Sequence, residues 1–131
     1  MKNSNEKGEI AQFKAQIRAI EKGFEVNVPT RPLRYDLILV KDNKFYRTQV
    51  KYCATFDHKS DKLLRLCIER TVRGKKTKPY TSKEIDLLLL YVPKIDKILA
   101  YKPKDFDNKK SLSINLSDNL ENKWSWKNFI W

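Results

Sequence analysis

The sequence is poor in the residues that build covalent and metal-based scaffolds. Among its 131 residues there are one histidine, His58, and two cysteines, Cys53 and Cys67. Two cysteines are too few for a disulfide framework, and no cysteine pair has the spacing of zinc ligands. The composition therefore disfavours both kinds of scaffold. We expect both cysteines to be free, buried thiols in a reducing cytoplasm.

Long apolar runs are also lacking. No segment approaches the roughly 18 to 20 apolar residues that are needed to span a bilayer. The N-terminal stretch MKNSNEKGE is polar and does not resemble a secretory signal. Because there is also no long, basic amphipathic helix, we expect a cytoplasmic protein with no membrane partner.

Acidic residues are few relative to basic ones. The chain has 28 lysines and arginines against 16 aspartates and glutamates, a net charge of +12, and its pI is about 9.7. Solubility alone does not require so large a charge, so the expected partner is a polyanion. With no sign of membrane binding, nucleic acid is the favoured polyanion.

The length predicts a single domain over residues 1–131, in which residues 104–131 form a C-terminal extension. Apolar residues recur at three- and four-residue steps over residues 6–22, which predicts a helix that ends near Gly23. The apolar stripe of this helix, expected to face the core, comprises Ile10, Phe13, Ile17 and Ile20.

Strands are predicted at residues 24–28, in a hairpin over 34–52, and at 63–69, 87–92, 98–101 and 112–116. Residues 70–79 are polar and basic, which predicts an exposed loop. Ser117 is a candidate N-cap for a last helix over residues 118–131. One helix, a mostly antiparallel sheet and a further helix imply an α/β or α+β layer sandwich.

The hairpin collects polar side chains on one face. Its predicted two-residue turn is Asp42-Asn43, because both residue types tolerate positive φ. If the residues that flank the turn face each other, Asp36 lies opposite Gln49, with Cβ atoms about 5 Å apart. Lys51 shares their face because side chains alternate along a strand.

A carboxylate, an amide and an ammonium group so placed suit phosphodiester hydrolysis. Carboxylate and amide oxygens are hard ligands for Mg²⁺, and a nearby lysine can orient an attacking water. The same side chains also have a structural explanation. Asp36 could cap a turn, while Gln49 and Lys51 could face solvent on an edge strand.

The chain resembles the PD-(D/E)XK nucleases, and within them the homing endonucleases encoded by group I introns. The similar segments are KGE at residues 7–9, GFEV at 23–26, RYDLI at 34–38, RTQVK at 47–51 and YTSKEID at 80–86. They fall in the same order and, with the apolar strand that follows, cover roughly residues 7–103. The resemblance implies an α/β restriction-endonuclease-like core, with a central mixed β-sheet flanked by helices.

The resemblance also implies roles for individual residues. Asp36 would be the principal metal-binding carboxylate and Lys51 the catalytic lysine. Gln49 would be a metal ligand in the position where many relatives have Asp or Glu. Glu9 would be the helix carboxylate that reaches the same Mg²⁺, for which Mn²⁺ can substitute. The alternative for Glu9 is an acid that interacts only with the helix dipole.

DNA contacts are expected from the basic segments, which can follow a phosphate backbone. The residues expected to bind DNA are Arg31, Arg34, Arg47, Arg70, Arg73, Lys75, Lys76 and Lys78. The resemblance further implies a homo-oligomer, dimer or tetramer, because long target sites need paired active sites. The candidate interface is the aromatic tail Trp124, Trp126, Phe129 and Trp131.

Three functions follow from these observations. The first is a Mg²⁺-dependent endonuclease that cuts double-stranded DNA at a specific site. The second is a nuclease with the same core that resolves four-way DNA junctions. The third is a non-catalytic nucleic-acid-binding protein in which Gln49 marks a degraded site.

Overall fold

The computed structural model describes residues 2–72, 76–117 and 121–131. Its first element is helix α1 (Ser4–Glu21), which begins where the side chain of Asn3 accepts the backbone N–H of Glu6 at 2.9 Å. Gly23 follows the helix with φ of 86°, a left-handed conformation that glycine adopts without strain. The predicted helix is therefore confirmed, as is the glycine at its end.

Ten strands follow in the described ranges. They are β1 (Glu25–Asn27), β2 (Leu37–Lys41), β3 (Lys44–Tyr52), β4 (Phe56–Asp57), β5 (Ser60–Cys67), β6 (Glu69–Val72), β7 (Lys76–Pro79), β8 (Leu87–Val92), β9 (Lys97–Tyr101) and β10 (Ser111–Asn115). A four-residue helix, α2 (Pro103–Phe106), follows β9, and a 3-10 helix (Trp126–Asn128) lies near the C-terminus. No helix in these ranges is both long enough and apolar enough to cross a membrane.

A five-stranded mixed sheet in the order β1-β2-β3-β8-β9 forms the centre of the fold. Strand β3 pairs with β8 in parallel, and the other neighbours are antiparallel. The predicted hairpin register is confirmed, since Lys41 pairs with Lys44 around a turn in which Asp42 and Asn43 both have positive φ. All six residues of β8 are buried, as expected for an interior strand.

Two hydrophobic clusters cover the two faces of the central sheet. On one face, α1 packs its alanines against Leu37, Leu39, Val50 and Leu89. On the other, residues such as Leu88, Leu90 and Leu99 pack against the smaller sheet β10-β5-β4 and Phe106 of α2. The predicted α/β fold is confirmed. The second face is covered mainly by strands, because α2 is only one turn long.

The prediction of which side of α1 faces the core is wrong. Phe13, Ile17 and Ile20 are 61%, 58% and 64% exposed, whereas Ala11, Ala15 and Ala19 are at most 1% exposed. Both sets recur with the helical period, so the pattern alone does not separate them. With methyl groups as its inner surface, the helix lies close to the sheet.

Three further predictions need correction. The basic segment 70–79 is not a simple loop, because β6 and β7 pair as an antiparallel hairpin, with residues 73–75 outside the described ranges. The helix predicted over 118–131 is wrong. Residues 118–120 are not described, and the chain end instead lies along β9, where the N–H of Trp131 donates to the carbonyl of Ile98 at 3.0 Å. Both cysteines are free, but only Cys53 is buried.

The aromatic tail packs on the chain's own core. Phe129 stacks on the buried Tyr101 with ring centroids 4.3 Å apart, and Trp124 stacks on Phe129 at 6.1 Å. Trp126 joins the same cluster, and Trp131 packs with the cluster under α1. These side chains therefore have a structural role within one chain, which the expectation of an exposed tail did not include.

Candidate active site

Strand β3 extends beyond its neighbour β2. Pairing of the two strands ends at Leu37 and Thr48, while β3 continues to Tyr52 beside β8. The first turns of α1 pass next to this uncovered edge and leave a groove of about 430 Å³. The residues that line it are Ser4, Lys7, Gly8, Gln12, Asp36, Gln49, Val50, Lys51, Tyr52, Ala54 and Thr55.

Asp36 lies at the point where β2 begins. Its backbone N–H donates to the carbonyl of Thr48 at 2.8 Å, and its Oδ2 accepts the N–H of Val50 at 2.9 Å. These bonds hold the carboxylate against the edge of β3. Burial raises the pKa of Asp36 above the ordinary value, while the Val50 hydrogen bond and the positive charge of Lys51 oppose this rise.

Gln49 and Lys51 lie two residues apart on β3 and line the same groove as Asp36. Gln49 is 9% exposed, and within the described ranges its side-chain amide makes no hydrogen bond to the protein. The Nζ of Lys51 lies 5.5 Å from the centre of the ring of Tyr80, which supports the ammonium group by a cation–π contact. The structure thus brings together the three hairpin residues that the sequence predicted.

Glu9 is placed differently. It is exposed on α1 and is not among the residues that line the groove. The helix residues that line the groove are Ser4, Lys7, Gly8 and Gln12. Ser4, Gly8 and Gln12 recur at four-residue steps and therefore share one face. Gln12 also lines a second groove together with Asp36 and Arg31. Gln12 was not predicted from the sequence, because its place in the groove depends on the alanine face of the helix being the buried one.

The donor set of the groove fits a hard divalent cation held by few protein ligands. Asp36 supplies a carboxylate, and Gln49 and Gln12 supply amide oxygens, which suits Mg²⁺ because this ion keeps several of its waters. No cluster of three or more His, Cys, Asp or Glu side chains able to hold a metal occurs in the described part of the chain. With a single carboxylate, this donor set would hold such an ion only weakly.

Arg47 has a structural role that the sequence analysis did not predict. Its Nε and Nη2 donate to the two carboxylate oxygens of Asp86 at 2.9 and 3.0 Å, and its Nη1 donates to the carbonyl of Lys83 at 2.7 Å. The hydrogen bonds from Arg47 lower the pKa of Asp86, and the same pairing raises that of Arg47. Arg47 therefore ties β3 to the turn before β8 rather than presenting its donors to solvent.

The other basic residues expected to bind DNA fall into three groups. Arg31 and Lys78 are exposed. Arg34 is exposed but pairs with Glu84 at 2.9 Å. The other four belong to the segment that spans β6, β7 and their connection, where Arg73 and Lys75 lie outside the described residues. These four are Arg70, Arg73, Lys75 and Lys76.

Comparison with known proteins agrees with this geometry. No curated protein matches the sequence. The solved structure of a bacterial homing endonuclease, I-Ssp6803I, is similar with a TM-score of 0.79 at 19% identity, over 98% of this chain and 89% of that one. The family model described as PD-(D/E)XK endonuclease matches residues 2–127. The chain, with its carboxylate and lysine on one β-hairpin, therefore belongs to the PD-(D/E)XK endonuclease family.

Proposed function

We propose that this protein is a Mg²⁺-dependent endonuclease of the homing type that hydrolyses phosphodiester bonds in double-stranded DNA at a specific site. The observation that carries the proposal is the convergence of Asp36, Gln49 and Lys51 on one groove. Membership of a nuclease family supports hydrolysis of nucleic acid, and the net charge of +12 supports a polyanionic substrate. The homing type rests on the sequence resemblance and on the fold shared with I-Ssp6803I.

The groove residues have distinct parts in this reaction. Asp36 and the amide oxygens of Gln49 and Gln12 would hold Mg²⁺, with Mn²⁺ as a substitute. The bound ion would lower the pKa of a water and neutralise charge on the phosphate. Lys51 would orient the attacking water or help to deprotonate it, and its contact with Tyr80 limits how far the ammonium group can move. Arg31, beside Asp36, would hold the DNA backbone.

The first experiment is cleavage of supercoiled DNA that carries a candidate target site, with Mg²⁺ or with EDTA. Lys51→Ala should abolish cutting yet retain most of the DNA affinity, because one phosphate contact at most is lost. The matched control is Lys62→Ala, which removes an exposed lysine of β5 and should cut like the wild type. Equal cutting by Lys51→Ala and Lys62→Ala would place the chemistry outside this groove.

Two other functions are separated by the same assay. A junction-resolving nuclease would cut four-way DNA in preference to linear duplex of any sequence. The single carboxylate of the groove favours a third possibility, a protein that binds nucleic acid without cutting it. No cutting of either DNA with Mg²⁺ or Mn²⁺, together with tight, salt-sensitive binding, would establish that binder.

A further inference from the structure

One wall of the groove at the candidate active site belongs to α1. We call its four groove-lining residues, Ser4, Lys7, Gly8 and Gln12, the helix wall. The hairpin forms the other side of the groove. The proposed reaction gives Gln12 a role as metal ligand, but it gives none to Lys7 or Gly8, which lie in the same wall.

Lys7 is the one cation of α1 that has no acidic partner among the described residues. The other two, Lys14 and Arg18, each contact a carboxylate, at 3.2 and 3.7 Å. Lys7 is half-buried, and its Nζ lies 6.0 Å from the centre of the ring of Tyr52. Because the ring faces only one side of the ammonium group, N–H donors remain for an acceptor in the groove.

The groove as a whole is positively charged. The ammonium groups of Lys7 and Lys51 line it together with a single carboxylate, so the charge is positive even before a metal ion binds. The ring beside Lys7 is itself held in place, since Tyr52 packs edge-on against the buried Tyr91 with centroids 5.9 Å apart. A positive groove with a positioned ammonium group suits a phosphate.

Gly8 has no structural reason to be glycine within this chain. It is the fifth residue of the 18-residue helix, where glycine is less favourable than alanine. Its backbone is helical, so no left-handed φ requires glycine. A Cβ atom at this position would meet no atom within 4 Å, so packing does not require glycine either. Glycine at such a place permits a ligand to approach the backbone closely.

We propose that the helix wall binds the backbone of one DNA strand. Lys7 donates to a phosphate oxygen, and Gly8 lets the sugar-phosphate chain lie directly against α1. Both residues bind and position the strand, while the hairpin residues act on the phosphate that is cut. The identity of the ligand as DNA rests on the proposed function.

The first test is the salt dependence of binding to duplex DNA that carries a candidate target site, by fluorescence anisotropy in EDTA. Lys7→Met removes the charge and keeps an unbranched side chain. Its slope of log affinity against log salt should be smaller by about 0.9, which corresponds to a roughly eightfold loss at 0.1 M salt that vanishes on extrapolation to 1 M. Lys7→Arg should restore the slope. The matched control, Lys62→Met on β5, should keep it.

The second test is steric. Gly8→Leu should weaken DNA binding roughly tenfold at every salt concentration, because the new side chain occupies the place of the strand. Its Tm without DNA should be at least that of the wild type, since leucine is the better helix former. The matched control is Asn5→Leu, at an exposed position of α1 outside the groove, which should bind like the wild type.

A wild-type salt slope in Lys7→Met, or wild-type affinity in Gly8→Leu, would overturn the proposal. A lower Tm for Gly8→Leu would also contradict it, since the chain itself would then need glycine there. All of these readouts are binding or unfolding. If the wild type binds DNA without cutting it, the nuclease function fails and the helix wall is still tested. If the variants of a cutting enzyme bind normally, only the helix wall fails.

Discussion

The backbone N–H of Val50 donates to the carboxylate of Asp36 at 2.9 Å, at a position on β3 where β2 no longer provides a partner. The side chain of Asp36 thus makes one further hydrogen bond to β3 beyond the last residue pair of β2 and β3. The same side chain also lines the groove. One residue both ends the strand pairing and supplies the metal-binding carboxylate of the proposed site. Its charge is consequently half-buried, which has a measurable cost.

Asp36→Asn should raise stability in the absence of metal. Because burial raises the folded-state pKa of Asp36, the ionised carboxylate opposes folding at all pH values above that pKa. The cost disappears below the ordinary pKa, where both states are protonated. Asparagine can still accept the Val50 hydrogen bond.

The measurement is thermal unfolding in EDTA from pH 3 to pH 8. The variant should have the higher Tm at pH 7, and the difference should shrink toward pH 3. A lower Tm for the variant at pH 7 would contradict this prediction. It would show that the hydrogen bonds and charges around the ionised carboxylate stabilise the fold more than burial of the charge destabilises it.

Gln12→Glu should tighten metal binding. A second carboxylate in the groove adds charge beside the ion, which we expect to improve affinity on the order of tenfold, or about 1.4 kcal/mol. Calorimetric titration with Mn²⁺ measures the change directly.

Glu9→Gln is the matched variant, since it changes a carboxyl on the exposed side of the same helix. If Glu9 reaches the metal as the family pattern implies, Glu9→Gln weakens binding and Gln12→Glu has little effect. The placement of the two side chains leads us to expect the reverse.

Replacement of Asp86 by alanine should destabilise the fold by about 1 to 2 kcal/mol, since charged hydrogen bonds to Arg47 are lost from a partly exposed site. The pKa of Asp86 is lowered, so its contribution is present above the ordinary pKa and is lost as pH falls through the lowered value. Urea denaturation should show a larger destabilisation at pH 7 than at pH 3, where part of the contribution has been lost.

Arg47→Lys should show a similar loss at pH 7, because lysine lacks the planar fork that binds both carboxylate oxygens. If Arg47→Lys instead has unchanged stability but weaker DNA affinity, the main role of Arg47 is to bind DNA, as was expected from the sequence.

Arg31→Ala should weaken DNA binding at all sequences and reduce the salt dependence of the affinity by about one phosphate contact. Arg31 is exposed and lines a groove with Asp36, so the contact would lie close to the reacting phosphate. Fluorescence anisotropy at several salt concentrations provides the slope, with Lys62→Ala as the control for charge alone. Identical slopes for the two variants would remove Arg31 from the interface.

Local signals in the sequence were sufficient for the hairpin. Turn chemistry at Asp42-Asn43 predicted the register, which the structure confirms from Lys41–Lys44 to Leu37–Thr48. In that register Asp36 and Gln49 come directly after the last pair. By contrast, α1 carries two faces with the same period, and only the tertiary packing decides that the alanines are buried. Gln12 was missed for the same reason, because its place in the groove depends on which face of the helix lies on the sheet.

The helix predicted for the C-terminal segment was wrong for a different reason. That prediction considered the segment alone. In the structure its partners are distant in sequence, since Phe129 stacks on Tyr101 and Trp131 pairs with Ile98 of β9. Because the strand with which the segment pairs lies elsewhere in the chain, the local sequence contains no pattern that predicts this pairing.

The alanine face of α1 determines a dimension of the candidate site. The buried side chains on this face are those of Ala11, Ala15 and Ala19, which are so small that the helix packs close to the sheet. This close packing places Gln12, the residue after Ala11, in the groove beside Asp36. A larger side chain at Ala11 would lift the helix and move the amide of Gln12 away from the carboxylate. The width of the candidate site is thus set by three side chains that contain no donor, no acceptor and no charge.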